Sequence, residues 1–262
     1  MHKISAVLVL LACCLAGPAA MASPGWNQAP ESWVEGHAVC IAAYSTAWKT
    51  WLVYNLPQCE MPLSPCSTFK IPNALIGLEN GVLTGPADVK AWDGTVHERE
   101  VLNRDHDLAS AMRNSVVWYF QEVARDIGPD RMQAALDQFG YGNLDLSGGP
   151  DRFWLGSSLE ISAIGQVEFL RALAEMKLPA AKGNQRIVKD LLLQDYALPT
   201  DFQGNLYGKT GSCPMPGEDH GWFVGWLDRG NETLVFAVNI IGEGLFGPDA
   251  RRIAVRMLQA NE

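Results

Sequence analysis

The chain has 262 residues, of which 48 % are hydrophobic and 19 % are charged, so it is long enough to bury a sizeable core in one globular unit. Acidic residues outnumber Lys and Arg by 29 to 20, and the formal net charge is −9. Because this charge repels polyanions and no basic run is present, we expect neither a nucleic acid nor an anionic membrane surface as a partner.

Residues 1–22 have the pattern of a secretory signal peptide. A lysine near the start precedes the apolar stretch 4–15, and an A-x-A cleavage site occupies positions 20–22. The apolar stretch is too short to cross a bilayer, which takes about 20 residues. We therefore expect an exported, periplasmic protein whose mature chain, 23–262, is a single domain. A lipoprotein signal ending at Cys13 is the alternative.

Next along the chain, two apolar, β-rich segments at 36–44 and 50–55 surround a polar break and predict a hairpin. Ser67 begins a predicted helix that extends to about Leu78, with its apolar residues on one stripe. The segment from about 85 to 195 is mainly helical in pattern. Within it, helices are predicted at 107–125, 130–139 and 162–177, and a structured loop rich in Gly, Asp and Ser at 143–158.

The periodicity changes after residue 205. Strands are predicted at 205–210, 221–228 and 233–241, and a final helix from about Pro248. Strands at both ends of the chain enclose a helical middle. This order predicts an α+β fold, in which a sheet carries an inserted helical lobe and a cleft forms where the two meet.

The segment Ser67-Thr68-Phe69-Lys70 carries the clearest chemistry, because it places a hydroxyl and an amine one helical turn apart. A serine is a poor nucleophile until a base takes its proton, and a neutral lysine can be that base. S-x-x-K alone is a weak signal. Three further motifs follow in order: Ser115-Val116-Val117, Tyr141-Gly142-Asn143 and Lys209-Thr210-Gly211.

Each group in this set has a chemical task that suits it. Lys70 must be neutral, and apolar walls lower a lysine pKa from its ordinary value of roughly 10.4. Ser115 is a small hydroxyl suited to passing a proton, and Lys209, on a strand, is suited to remain charged and steer an anionic substrate. Gly211 would let a substrate backbone approach closely. Four side chains can supply the apolar walls around the lysine: Phe69, Val117, Trp154 and Leu155.

Removal of the leader leaves four cysteines in an oxidising compartment: Cys40, Cys59, Cys66 and Cys213. Four cysteines allow three pairings. We favour Cys40 with Cys59 in the N-terminal strand pair. Cys66 would then pair with Cys213, because these thiols become neighbours if the helix start faces the Lys-Thr-Gly strand. Free buried thiols are the alternative.

No metal centre is expected. The sequence has neither a C-x-x-C nor an H-E-x-x-H spacing. Four histidines of the mature chain are scattered along it: His37, His97, His106 and His220. The motifs require no separate cofactor.

The combination of S-x-x-K and K-T-G is shared by penicillin-binding proteins and class A β-lactamases. The S-D-N element of those proteins is absent. The sequence instead has Ser115-Val116-Val117, Tyr141-Gly142-Asn143 and Trp154-Leu155, and with these motifs it resembles the class D, oxacillinase-type, serine β-lactamases. The resemblance covers the chain from about Cys40 to its end. It implies a transpeptidase-like fold, with an antiparallel sheet flanked by helices and an inserted all-helical lobe.

The resemblance also implies roles for individual residues. Ser67 would be acylated by a β-lactam, and Lys70 would react with carbon dioxide to form a carbamate that acts as general base. The carbamate pocket would include Val117, Trp154 and Leu155, the tryptophan through its indole N–H.

The same resemblance implies how substrate is held. Ser115 would relay a proton to the leaving nitrogen. Backbone N–H groups of Ser67 and Ser212 would form the oxyanion hole. Lys209, Thr210 and an arginine would bind the substrate carboxylate. Both Arg251 and Arg252 are candidates for that arginine, and the spacing to Arg256 favours Arg251.

Three functions fit these motifs. The leading one is an exported enzyme that hydrolyses penicillins and related antibiotics and so confers resistance. A penicillin-binding D,D-peptidase and a β-lactam sensor, both of which are acylated without β-lactam turnover, are the alternatives. The preferred β-lactam and the choice between monomer and homodimer are left open by the sequence.

Overall fold

The computed structural model describes residues 31–194, 203–215 and 217–260, without the side chains of residues 31 and 32. The expected signal peptide, 1–22, lies outside these residues. Among the described helices, none is both long enough and apolar enough to span a membrane.

A five-stranded antiparallel sheet forms the centre of the molecule, in the strand order β2-β1-β7-β6-β5. Its strands are β1 Ala38–Ser45, β2 Thr50–Tyr54, β5 Asn205–Cys213, β6 His220–Asp228 and β7 Thr233–Ile241, and a separate pair is formed by β3 Val89–Lys90 and β4 His106–Asp107. The predicted N-terminal hairpin and the three C-terminal strands are confirmed. β5 is the edge strand of this sheet, next to β6.

Nine described α-helices surround the sheet. They are α1 Glu31–Val34, α2 Leu56–Glu60, α3 Lys70–Glu79, α4 Leu108–Asn114, α5 Val117–Ile127, α6 Pro129–Phe139, α7 Ala163–Ala174, α8 Lys182–Leu191 and α9 Gly247–Gln259. α7 packs on one face of the sheet, and α9 packs on β5, β6 and β7. α3 to α6, with α8, form the predicted helical lobe.

The protein has two hydrophobic cores, one on each face of the sheet, and side chains along β7 alternate between them. Val235 and Ala237 face the core shared with the helical lobe. Leu234, Phe236 and Val238 face the core closed by α9. Because successive strand residues point to opposite faces, an apolar strand of this kind requires a helical layer on each side. The predicted α+β arrangement is therefore confirmed.

The predicted helix 107–125 is interrupted in the structure. α4 ends at Asn114, Ser115 adopts a left-handed conformation with φ 55°, and α5 begins at Val117. The N–H of Val116 returns to the carbonyl of Ala111 and closes the turn. This interruption matters for function because Ser115, at the break, forms a hydrogen bond with Lys209 on β5.

The predicted helix at Ser67 also begins differently. Residues Cys66–Phe69 form a 3-10 turn, and the α-helix begins only at Lys70. Buried Pro72 lies within the first turn of α3, where a missing N–H has little effect. α8 lies in the part expected to be helical but was not located from the sequence.

Candidate active site

The Ser67 hydroxyl and the Lys70 amine meet at the junction between the lobe and the sheet. Lys70 Nζ donates a hydrogen bond of 2.8 Å to Ser67 Oγ. In a 3-10 turn, residues three apart are nearly eclipsed, so the turn that precedes α3 brings the two side chains onto one line. The S-x-x-K spacing therefore produces the contact that was expected of it.

Lys70 is fully buried. Burial, together with the charges of Lys209 and Arg99, holds the pKa of Lys70 well below its ordinary value of 10.5. The ring of Phe120 lies 5.6 Å from Nζ and supplies an apolar wall. A neutral amine in this position can accept the proton of Ser67 and so activate its oxygen as a nucleophile.

Trp154 is fully buried, and its ring stacks at 5.2 Å on Phe69, which lies between Ser67 and Lys70 in the sequence. Its indole Nε1 is buried and has no hydrogen-bond partner among the described residues. Val117 and Leu155, also expected in this pocket, are only half-buried. The structure therefore leaves a buried, unpartnered N–H donor on a ring that packs against the turn carrying Ser67.

The Tyr141-Gly142-Asn143 motif supports the loop that carries Trp154. Asn143 accepts a hydrogen bond from Glu160 N–H and donates to the carbonyl of Ser158. Gly142 has φ 63°, and a Cβ there would lie 2.2 Å from Glu160 O. The ring of Tyr141 packs edge-on against Phe69 at 5.8 Å. In this structure the motif positions the loop.

Ser115 faces Lys209 across the cleft. Lys209 Nζ donates to Ser115 Oγ at 3.0 Å and to Thr210 O at 2.9 Å. Lys209 was expected to remain charged, but it is only 6 % exposed. Burial, with the charge of Arg99, lowers its pKa to about 7. Near neutral pH this lysine is therefore only partly charged without substrate.

The two faces of β5 pack against different elements, the turn that carries Ser67 and the start of α9. A Cβ on Gly211 would lie 3.0 Å from Pro65 O and 3.1 Å from Thr68 Cγ2. The glycine therefore lets the 3-10 turn Cys66–Phe69, called here the nucleophile turn, approach the strand. The expected approach of a substrate backbone to Gly211 stays a prediction, and the neighbour that the structure shows is the turn that carries Ser67. On the opposite face, Ser212 Oγ accepts a hydrogen bond from Gly247 N–H at the start of α9.

Beyond Gly208, the outer edge of β5 has no partner strand among the described residues and forms an open edge there. Gly208 N–H donates outward to Leu192 O. Because alternate residues of an edge strand direct both backbone groups outward, the N–H of Ser212 points the same way. This orientation agrees with its expected place in the oxyanion hole.

A cavity of about 290 Å³ adjoins Lys209 and Thr210. Arg251 lines it, with its guanidinium carbon 5.9 Å from the centre of the Phe223 ring. Arg252 is exposed and forms an ion pair with Asp249 at 2.9 Å. Of the two arginines considered for the substrate carboxylate, the structure therefore places Arg251 with the other candidate groups.

The four cysteines lie in the two favoured pairs. The sulfur atoms of Cys40 and Cys59 are 2.12 Å apart, and those of Cys66 and Cys213 are 1.96 Å apart. Cys59 lies on α2, not in the strand pair. Among the described residues, one group of three possible metal ligands exists, formed by Cys66, Cys213 and His220. The sequence spacing did not predict that group.

Three residues of the site were missed by the motif analysis. Phe120 contacts Lys70 from α5, and Arg99 acts on both lysines through its charge. Ser64 anchors the Trp154 loop, because its hydroxyl donates to Trp154 O and accepts from Gly156 N–H, both at 2.9 Å. The apolar residues that follow Ser115 could have indicated Phe120, whereas no sequence signal distinguished Arg99 or Ser64.

Comparison with known proteins agrees with this geometry. Residues 28–258 match the family model described as the penicillin binding protein transpeptidase domain. The probable β-lactamase YbxI of Bacillus subtilis (strain 168) is 44 % identical over 207 residues, which cover 79 % of this chain and 74 % of that protein. β-Lactamase OXA-10 of Pseudomonas aeruginosa is 38 % identical over 245 residues, covering 91 % of this chain and 90 % of that protein.

The fold is also similar to that of a solved structure. The class D β-lactamase BAT-2 superposes with a TM-score of 0.83 and 38 % identity, covering 91 % of this chain and 98 % of that one. Together with the Ser67–Lys70 contact and the edge strand that carries Lys209, these similarities show that the chain belongs to the penicillin-binding transpeptidase family and, within it, to the class D serine β-lactamases.

Proposed function

We propose that this enzyme opens the β-lactam ring of penicillins and related antibiotics through an acyl-enzyme on Ser67, and so confers resistance to them. The observation that supports this best is the 2.8 Å contact between Ser67 Oγ and a buried Lys70 amine whose pKa is strongly lowered. Serine attacks the lactam carbonyl once the base has taken its proton, the C–N bond breaks, and water then releases the acid.

Substrate binding uses the open edge of β5. Lys209, Thr210 and Arg251 surround the cavity and supply donors for the substrate carboxylate. That carboxylate would favour the protonated form of Lys209. The N–H groups of Ser67 and Ser212 receive the negative charge that develops on the carbonyl oxygen. Loss of one such donor in related acyl-transfer sites costs about 2.7–4 kcal/mol of transition-state stabilisation.

A proton must also reach the leaving nitrogen of the lactam. Ser115 Oγ is 3.0 Å from Lys209 Nζ, so the hydroxyl can pass a proton to the substrate and regain one from the amine. A Lys209 pKa near 7 suits this exchange, because the amine can give up and recover a proton near neutral pH.

The residues present fit a carbamate on Lys70. Only a neutral amine reacts with carbon dioxide, and burial favours the neutral form of Lys70. The unpartnered indole N–H of Trp154 is a donor that such an anion requires in a buried pocket. When present, the carbamate supplies the general base for acylation and deacylation.

We further propose that the protein is exported to the periplasm, as the pattern of residues 1–22 indicates. In that compartment both cysteine pairs would be disulfides. Intact mass after alkylation without reductant tests the oxidation state. Unmodified protein is expected, whereas four alkylated thiols would contradict it.

Turnover of a chromogenic cephalosporin by the purified chain tests the enzymatic proposal. We expect many equivalents of product for each equivalent of enzyme, and none from Ser67→Ala. A single equivalent followed by arrest would instead indicate a sensor or a penicillin-binding protein, because those proteins are acylated without rapid release.

A further inference from the structure

A cluster of possible metal ligands at the start of the nucleophile turn takes no part in the proposed reaction. It consists of Cys66, Cys213 and His220. One ligand atom of each lies within 4.8 Å of the other two. All three side chains are at most 4 % exposed. Cys213 and His220 are directly opposite one another on β5 and β6, and Cys66 immediately precedes Ser67.

The hydrogen bond of His220 fixes which ring nitrogen carries the proton. Nε2 lies 3.0 Å from the carbonyl oxygen of Ser64, which can only accept, so Nε2 is the protonated nitrogen. Nδ1 then retains its lone pair. A ring N–H donated to a backbone carbonyl is the arrangement that orients histidine ligands in metal sites.

We propose that reduction of the Cys66–Cys213 pair converts this cluster into a site for one thiophilic divalent cation such as Zn²⁺. A dithiol gives two electrons and two protons to the disulfide, which yields two cysteine thiols and the oxidised dithiol. The cation then displaces both thiol protons, which pass to solvent, and binds the two thiolates and the His220 imidazole.

The ligand set and the spacing suit such an ion. Two sulfurs and one imidazole nitrogen form a donor set that Zn²⁺ and Cd²⁺ favour. Zinc–sulfur distances of about 2.3 Å in a tetrahedron place two sulfurs nearly 4 Å apart. Cys66 and Cys213 have a Cα–Cα distance of 5.8 Å, so side-chain rotation can provide this separation.

Charge also favours a cation here, because two thiolates neutralise a divalent ion and leave little net charge to bury. Glu218 and Asp219 directly precede His220, and their negative charges act on its ring. In the oxidised protein the two sulfurs are bonded to each other and neither is a thiolate. The site therefore exists only after reduction, and this dependence distinguishes it from a permanent metal centre.

Metal binding would restore the link that reduction breaks. Cys66 has φ 46°, in the left-handed region, and the pair ties this residue to β5. A cation held by Cys66 and Cys213 would connect the same two segments. We expect reduced protein to lose thermal stability and to regain part of it when the ion binds.

Cobalt(II) is a suitable probe, because thiolate ligation gives it intense charge-transfer absorption. The full chain is reduced with a phosphine, which competes for metal less than a dithiol does, and is titrated with Co²⁺. We expect one equivalent to bind to the reduced protein and none to the oxidised protein. Failure of the reduced protein to take up cobalt would overturn the proposal.

Variants identify the ligands. Cys59→Ser, the matched control, removes a cysteine of the other pair and should leave cobalt binding intact. Cys213→Ser and His220→Asn each remove one ligand and should weaken binding about tenfold or more. Unchanged affinity in both would overturn the proposal, as would loss of binding in Cys59→Ser. If Cys213→Ser does not fold, His220→Asn decides alone. None of these readouts depends on β-lactam turnover.

Discussion

Trp154 poses the clearest question among single residues, because its indole N–H is buried without a partner among the described atoms. Leaving a buried donor unsatisfied costs roughly 1–3 kcal/mol. Trp226 on β6 has the same unpartnered N–H, but its ring stacks on Tyr207 at 4.9 Å, away from the Ser67 turn. Trp226 is therefore a matched control for a test of what the Trp154 N–H does.

Trp154→Phe should lower carbamate formation on Lys70 and reduce kcat by about tenfold or more, because the anion loses a charge-assisted hydrogen bond. Carbon-13 NMR with labelled bicarbonate measures the carbamate, and added bicarbonate should restore part of the activity. Trp226→Phe should retain both signals. Equal losses in the two variants, or none in Trp154→Phe, would contradict the role of this N–H.

Lys209 links stability to pH. Its folded pKa of about 7 lies below the ordinary 10.5, so between these values the unfolded chain binds a proton that the folded chain lacks. Stability from this group should therefore rise with pH above 7, by at most about 1.4 kcal/mol per pH unit.

Urea unfolding of the wild type and of Lys209→Met between pH 7 and 9 measures this contribution. The difference in unfolding free energy should grow in favour of the wild type as pH rises. A difference that stays constant or shrinks would show that the folded lysine keeps its proton.

The sequence predicted the residues whose chemistry depends on local spacing. Ser67 and Lys70 meet because they are three apart in one turn. It did not predict the neighbour of Gly211, because that depends on which face of β5 the nucleophile turn approaches. Nor did it choose firmly between Arg251 and Arg252, since adjacent helical residues point about 100° apart and the packing of α9 decides.

At the scale of elements, the interruption between α4 and α5 is a feature that the hydrophobic periodicity of the sequence did not predict. The apolar periodicity of 107–125 is continuous, and a left-handed non-glycine residue costs only about 1–2 kcal/mol. Ser115 carries no local signal of that conformation. Tertiary contacts hold it, since its hydroxyl accepts a hydrogen bond from Lys209 on β5.

The contact between β6 and α9 should set the position of Arg251. A Cβ on Gly221 would lie 2.2 Å from the backbone carbon and oxygen of Phe246, and such atoms cannot move by changing rotamer. Gly221→Ala should therefore displace the start of α9 and destabilise the protein by about 1–3 kcal/mol. Because Arg251 moves with the helix, KM for a penicillin should rise by a larger factor than kcat falls.

Gly183→Ala is the control for this change, since nothing lies within 4 Å of its Cβ position in α8. Its stability should stay equal or rise by up to about 1 kcal/mol. If Gly221→Ala is destabilised but keeps the wild-type KM, the prediction is contradicted. The packing of β6 on α9 would then not set the position at which Arg251 binds substrate.

For the whole molecule, the two cysteine pairs differ mainly in the length of chain that they close. Cys66 and Cys213 are 147 residues apart, a span that includes the helical lobe, whereas Cys40 and Cys59 are 19 apart. If both are disulfides, loop-closure entropy predicts that the longer link stabilises the fold by about 2 kcal/mol more.

Urea unfolding of the double variants Cys66→Ser/Cys213→Ser and Cys40→Ser/Cys59→Ser compares the two links. A greater loss from the Cys66 pair is the expected result. The opposite order would mean that local packing around Cys40 and Cys59 outweighs the entropy of the longer loop.

The central claim is that Lys70, through the carbamate that its buried, neutral amine can form, supplies the base for both halves of a reaction on Ser67. Intact-mass spectrometry of Lys70→Ala with excess benzylpenicillin, beside the wild type, tests it most directly. We predict that the wild type hydrolyses many equivalents without accumulating adduct, while Lys70→Ala slowly gains one penicilloyl group on Ser67 and retains it. Steady hydrolysis of benzylpenicillin by Lys70→Ala would contradict the account.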